Sequence, residues 1–184
     1  DWKDVVPGEY EVGLTITNGK GLTDSEDINV HVSYAGYWMD FEMGGNNSGE
    51  PVELDFDFTA INNKDSGNTI KKVVGELTYP KIDADCTDIT PGESNNCRAK
   101  LDLHAFNEED EEARNTSDKS NEQREDGECN SDDNDCVHLE LNSWFFSDPD
   151  TSTGFGDGEW TMKIRNNRVN DLQVESIVIR LVYK

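Results

Sequence analysis

Asp148, Asp150 and Ser152 stand at alternate positions in the stretch SDPDTSTGFGDGEW, Ser147 to Trp160, and Glu159 falls at the twelfth place counted from Asp148. Calcium takes roughly six to eight hard oxygens on a flexible backbone, and alternating carboxylates and hydroxyls in a turn supply them. On the twelve-residue calcium-loop pattern the ligands here are Asp148, Asp150, Ser152, the Gly154 carbonyl, a water or carbonyl near Gly156, and Glu159. Thr153 stands where that pattern requires glycine, Pro149 sits second, and no helical periodicity flanks the loop, so the stretch is not an EF-hand. Two readings stay open: a cation loop mounted on strands, and a plain polar turn between them.

Other carboxylate groups offer the same chemistry. Asp83, Asp85 and Asp88 lie near one cysteine, Asp132, Asp133 and Asp135 near another, and Asp55 and Asp57 share one face of an expected strand. Catalytic patterns are missing. There is no Gly-x-Ser-x-Gly turn and no His-Glu-x-x-His. His31, His104 and His138 each lie in an alternating segment, opposite its apolar stripe, which predicts surface residues. Paired carboxylates for glycoside chemistry carry no information in so acidic a chain. Trp144, Phe145 and Phe146 are consecutive, so their side chains must divide between two faces. Trp144 and Phe146 are the candidate binding aromatics, set against packing in the core.

The cysteines fall into close pairs, Cys86 with Cys97 and Cys129 with Cys136. Each pair brackets a short polar segment, which favours two local disulfides and an oxidising compartment. Zinc is the competing reading, although the spacings are long for a zinc knuckle. Asn46-Asn47-Ser48 and Asn115-Thr116-Ser117 match the glycosylation acceptor pattern. In the 184 residues, 40 acidic side chains face 16 basic ones, for a formal charge of −24. That charge argues against nucleic acid or an anionic membrane as partner and favours bound cations. No apolar run approaches the ~20 residues that span a bilayer.

Period-two alternation supplies the scaffold. Tyr10, Val12, Leu14 and Ile16 form one stripe, and Ile28, Val30 and Val32 form the next, joined by a turn at Asn18-Gly19-Lys20-Gly21. Val52, Leu54, Phe56 and Phe58 alternate with acids. Further strands are expected at Val73–Tyr79, Leu101–Ala105, Val137–Leu141, Trp160–Ile164 and Ile177–Tyr183. Tyr34, Tyr37 and Trp38 read as a packed inter-domain junction. Residues 107–135 contain no Val, Ile, Leu, Met, Phe, Trp or Tyr, and residues 107–136 carry 13 acids against three bases. They read as a long acidic insertion. The fold class is therefore all-β, an antiparallel sandwich or jelly roll.

Two resemblances refine this reading. Pro7 to Val32 resembles the closing strands of a PKD (polycystic kidney disease-type) domain through Pro7, Gly8, Tyr10, Val12, Leu14, Asn18, Gly21 and Val30. Gly158 to Tyr183 resembles the final strands of the proprotein-convertase P domain through Gly158, Trp160, Met162, Ile164, Asn166, Asp171, Leu172 and Ile177. The first implies an immunoglobulin-like module over residues 1–33. The second implies a jelly roll over 34–184 that often binds calcium and supports a neighbouring protease. Together they lead to the expectation of a non-catalytic, calcium-stabilised accessory or binding module of a larger secreted or cell-surface protein. Its partner would be a neighbouring domain or a protein or polysaccharide surface. The alternative is a structural subunit of a surface filament or layer, self-associating by strand complementation.

Overall fold

The computed structural model describes residues 8–46, 48–62, 69–81, 99–117, 131 and 133–184, apart from the side chains of Gly8, Glu9 and His31. Ten strands follow in order: β1 (Gly8–Thr17), β2 (Thr23–Val32), β3 (Tyr34–Met43), β4 (Val52–Ala60), β5 (Ile70–Pro80), β6 (Leu101–Phe106), β7 (Glu112–Asn115), β8 (Asn134–Asn142), β9 (Gly158–Asn166) and β10 (Leu172–Tyr183). The described residues contain no helix, and so none long and apolar enough to cross a membrane.

Eight of the strands pair in a nested antiparallel series: β3 with β10, β4 with β9, β5 with β8, and β6 with β7. Two further pairings, β10 with β5 and β9 with β6, complete the sheets β3-β10-β5-β8 and β4-β9-β6-β7. This is the double-sheet jelly roll. The expected alternation produces it. Val73 and Leu77 of β5, with Ile177, Ile179 and Leu181 of β10, face Leu103 of β6 and Trp160, Met162 and Ile164 of β9 in one buried cluster. Gly75 marks where the sheets come closest, since a β-carbon there would meet the Met162 side chain at 2.8 Å.

Four expectations change. The hairpin β1–β2 forms in full register, from Gly8 opposite Val32 to Thr17 opposite Thr23, but as a separate two-stranded sheet. Its apolar stripe is not a core stripe: Leu14, Ile16 and Ile28 are exposed. A two-stranded ribbon has no second layer to bury that face. The Tyr34–Trp38 stretch is not a packed junction but the outermost strand of a sheet, with Tyr34 and Tyr37 more than half exposed. The acidic stretch after Phe106 is not loop throughout, because β7 lies inside it. Polar groups hold β7 in place of apolar ones: the buried Thr116 hydroxyl accepts from the Leu103 N–H at 2.9 Å, and Arg114 donates to the Glu140 carbonyl of β8 at 2.6 Å. Finally, His104 is not a surface residue. It is 2% exposed, flanked by Lys163 and Asn115 on adjacent strands and stacked near Phe106.

Candidate functional site

The β8–β9 connection folds around its own polar groups. The Asp148 carboxylate accepts from the Asp150 N–H at 2.9 Å, an Asx turn. The Asp148 carbonyl accepts from the Ser152 N–H at 2.9 Å and from its hydroxyl at 3.0 Å. Ser147 and Ser152 share a hydroxyl contact at 2.6 Å, and the Ser152 oxygen accepts from the Gly154 N–H. Gly154 is required by close approach: a β-carbon there would lie 2.2 Å from the Ser147 hydroxyl and 2.7 Å from the Trp144 carbonyl. Beneath the turn, Phe145 and Phe155 stack with centroids 5.9 Å apart, and Phe146 packs on Trp160 at 5.0 Å. Trp160 donates its indole N–H to the Gly156 carbonyl at 3.2 Å.

The candidate ligands of this loop therefore do not converge as the twelve-residue pattern would have them. Asp148 and Ser152 are engaged in the turn. Glu159 points to the outer face of β9, where it accepts from the Thr59 hydroxyl at 2.8 Å. Among the described residues no three His, Cys, Asp or Glu side chains stand close enough to hold a metal ion as placed. The loop nevertheless forms one wall of a cleft of roughly 740 Å³. Its lining takes Asp148, Asp150, Asp157 and Glu159 from the β8–β9 segment and Glu108, Glu109 and Glu111 from the β6–β7 turn, together with Asn107 and the aromatic Phe155 and Trp160. No basic side chain lines it, and none of the seven carboxylates has an ion-pair partner among the described residues.

The opposite wall was not singled out from the sequence, because residues 107–136 read as one undivided insertion. Its signal is the run Asn107-Glu108-Glu109-Asp110-Glu111. The Asn107 side chain accepts from the backbone N–H groups of Glu109 and Glu111, at 3.2 and 2.8 Å, and Asp110 takes φ of +60°. That tight Asx turn joins β6 to β7 and delivers three glutamates to the cleft. Asp157 was also missed; it accepts from the Asn62 N–H at 2.8 Å.

The remaining candidates fall elsewhere. Asp133 and Asp135 lie at the start of β8, away from the cleft residues, with Asp135 buried. Asp83, Asp85, Asp88, Asp132, Cys86, Cys97 and Cys129 lie outside the described residues. Cys136 is fully buried, and no cysteine among the described residues is a free thiol. Asp55 lies 3.7 Å from Lys163, and Asp57 accepts from Thr161 at 2.8 Å, so both serve the outer face of the β4–β9 pair. Phe146 is not a binding aromatic: at 1% exposure it is core, whereas Trp144 is 45% exposed. His104 Nδ1 lies 3.1 Å from Glu112. Burial pushes the Glu112 carboxyl up, but hydrogen bonds from Asn115 and His104 and the charges of His104 and Arg165 outweigh it and hold Glu112 below the usual carboxylate range.

No protein-family model matches the chain, and no curated protein matches it. Among solved structures it is similar to one described as "Structural basis for the promiscuous specificity of the carbohydrate-binding modules from the beta-sandwich super family", with 11% identity over 97% of this chain and 75% of that chain, at a TM-score of 0.31. The nested strand pairing defines the fold independently of that likeness.

Proposed function

We propose that the chain is a non-catalytic jelly-roll module of a larger secreted protein, and that its loop-end cleft takes calcium. One observation carries the reading: seven carboxylates, from the β6–β7 turn and from the β8–β9 loop and the start of β9, line one cleft with no basic side chain among the described residues that line it. Hard oxygens without competing cations are the donor set calcium selects. Because the carboxylates are spread rather than pre-assembled, the affinity belongs with the weak extracellular sites, Kd of about 10⁻⁴–10⁻³ M. In this reading calcium joins the Asn107–Glu111 turn to the Asp148–Glu159 loop, and disulfides Cys86–Cys97 and Cys129–Cys136 clip the acidic connections. The stiffened end then supports a neighbouring domain or presents Trp144 to a protein or polysaccharide surface.

The test is calcium titration of the EDTA-stripped chain, followed by calorimetry and thermal unfolding. At about one hundred times Kd, a ligand confined to the native state adds roughly 2.7 kcal/mol. For a domain of this size that raises Tm by roughly 5–11 °C. Combining Asp148→Asn with Glu111→Gln should remove most of the rise. The reading fails if sodium chloride at matched ionic strength gives the same rise, since screening of the acidic surface would then account for it.

A further inference from the structure

A second feature lies on the side of the sandwich where β3 and β4 end their sheets. Both are outermost strands, and among the described residues β3 pairs only with β10. On the opposite side, Arg114 of β7 closes the seam by donating to the β8 backbone. Among the described residues no such hydrogen bond joins β3 to β4, which meet through aromatic rings instead. Register places Tyr34, Gly36 and Trp38 opposite Leu181, Ile179 and Ile177, so they share the core-facing side of the sheet. Yet Tyr34 stays exposed and Trp38 lies at the surface. The indole lies over Gly36, where a β-carbon would meet it at 2.5 Å, and its edge meets Phe56 of β4 at 5.1 Å. Phe41 adds a third ring, 5.6 Å from Phe56. The result is an aromatic-walled slot of roughly 510 Å³ between the two strands, lined also by Glu42, which has no ion-pair partner among the described residues, by Asp55 and Asp57, and by no described basic side chain.

Outer strands of soluble proteins are commonly blocked by lysine, proline or inward charge, because their unpaired N–H and C=O groups recruit other chains. Tyr34–Met39 contains none of these, and Tyr37 and Met39 are exposed. We propose that the edge of β3 away from β10, unpaired among the described residues, receives an extended, positively charged peptide segment of another protein. Such a strand would hydrogen-bond along β3 and place alternate side chains in the slot, the strand-addition mode of recognition. Charge chooses the occupant. The aromatic faces and the exposed Glu42 carboxylate both attract cations. A second copy of a chain carrying a formal −24 is repelled. The proposal does not depend on the calcium cleft, which lies in other loops.

The experiment uses the full chain in EDTA, which removes any calcium contribution. A fluorescent peptide of about eight residues alternating lysine and leucine is titrated beside its glutamate–leucine counterpart. The lysine peptide should bind at least tenfold more tightly, weaken with added salt, and slow hydrogen exchange along Tyr34–Met39. Met39→Lys places a like charge on the exposed edge and should weaken binding at least tenfold. Glu42→Gln, an exposed change that leaves the fold alone, should weaken it severalfold. Equal affinity for the two peptides, or unchanged exchange in β3, overturns the proposal. So does a dimer of the chain alone that protects β3 at micromolar concentration, which would assign the edge to a second copy.

Discussion

Replacing Gly154 with alanine tests whether the cleft wall is shaped by close backbone approach. A β-carbon at this position would lie 2.2 Å from the Ser147 hydroxyl, 2.6 Å from the Ser147 carbonyl and 2.7 Å from the Trp144 carbonyl. The hydroxyl can rotate away, but the two carbonyls belong to the backbone and cannot. Relief requires the two halves of the loop to separate, against the Phe155-to-Phe145 and Gly156-to-Ser147 backbone hydrogen bonds at 2.9 and 3.0 Å. Overpacking of this kind costs about 1–3 kcal/mol, and one weakened hydrogen bond adds about 1 kcal/mol. Against this, alanine loses less chain entropy on folding, a gain of about 0.4–1 kcal/mol. The steric effect wins, and the net loss is about 2 kcal/mol, or a fall in Tm of roughly 4–8 °C. Urea denaturation followed by near-ultraviolet circular dichroism of the Trp144–Trp160 aromatic cluster measures it, and amide exchange at Phe155 and Gly156 locates it. A Gly154→Ala protein as stable as the parent, with both amides equally protected, would refute the argument.

The adjacent aromatics should separate sharply by burial. Phe146→Ala removes a ring packed on Trp160 and should cost about 3–5 kcal/mol in chemical denaturation, whereas Trp144→Ala should stay within about 1 kcal/mol; similar losses would contradict the placement of these rings. Acid stability should depend on Glu112. Its folded pKa is lowered, so its contribution is present above its unfolded value and is lost as pH falls through the folded one. The stability gap between the parent and Glu112→Gln should therefore shrink as pH drops from neutral toward 3, and a gap that widens over that range would reverse the assignment.

The strand scaffold was legible because burial in a sandwich follows strict alternation. Val52, Leu54, Phe56 and Phe58 turn to the interior while Glu53, Asp55 and Asp57 turn out, as their order in the chain dictates. β7 was not legible, since Glu-Ala-Arg-Asn has no apolar stripe and is held by Thr116 and Arg114 instead. His104 obeys alternation and points to the outer face, but neighbouring strands bury it there, and a single strand's pattern cannot report its flanks. β3 was obscured for another reason. Asp40 takes φ of +51°, and the residues facing inward change from Tyr34, Gly36 and Trp38 to Phe41 and Met43 across it. At the cleft, the Asp148 alternation was visible but its meaning was ambiguous, because the same side chains that ligate cations also cap turns. The second wall was hidden by distance in sequence, as only the β6–β7 turn brings Glu108 and Glu111 opposite Asp148.

The nested pairing of the jelly roll also sets an order of assembly. β6 and β7 meet across a five-residue turn, whereas β3 and β10 come from opposite ends of the sandwich sequence. Closing short loops first costs the least entropy, so the ribbon is expected to zip outward from its hairpin tip, with the β3–β10 pair sealed last. Until β10 docks, the edge of β5 that it pairs with stays open to misassociation. Contacts made that late are missing from the transition state, so substitutions in β10 that face β3 should speed unfolding more than they slow folding.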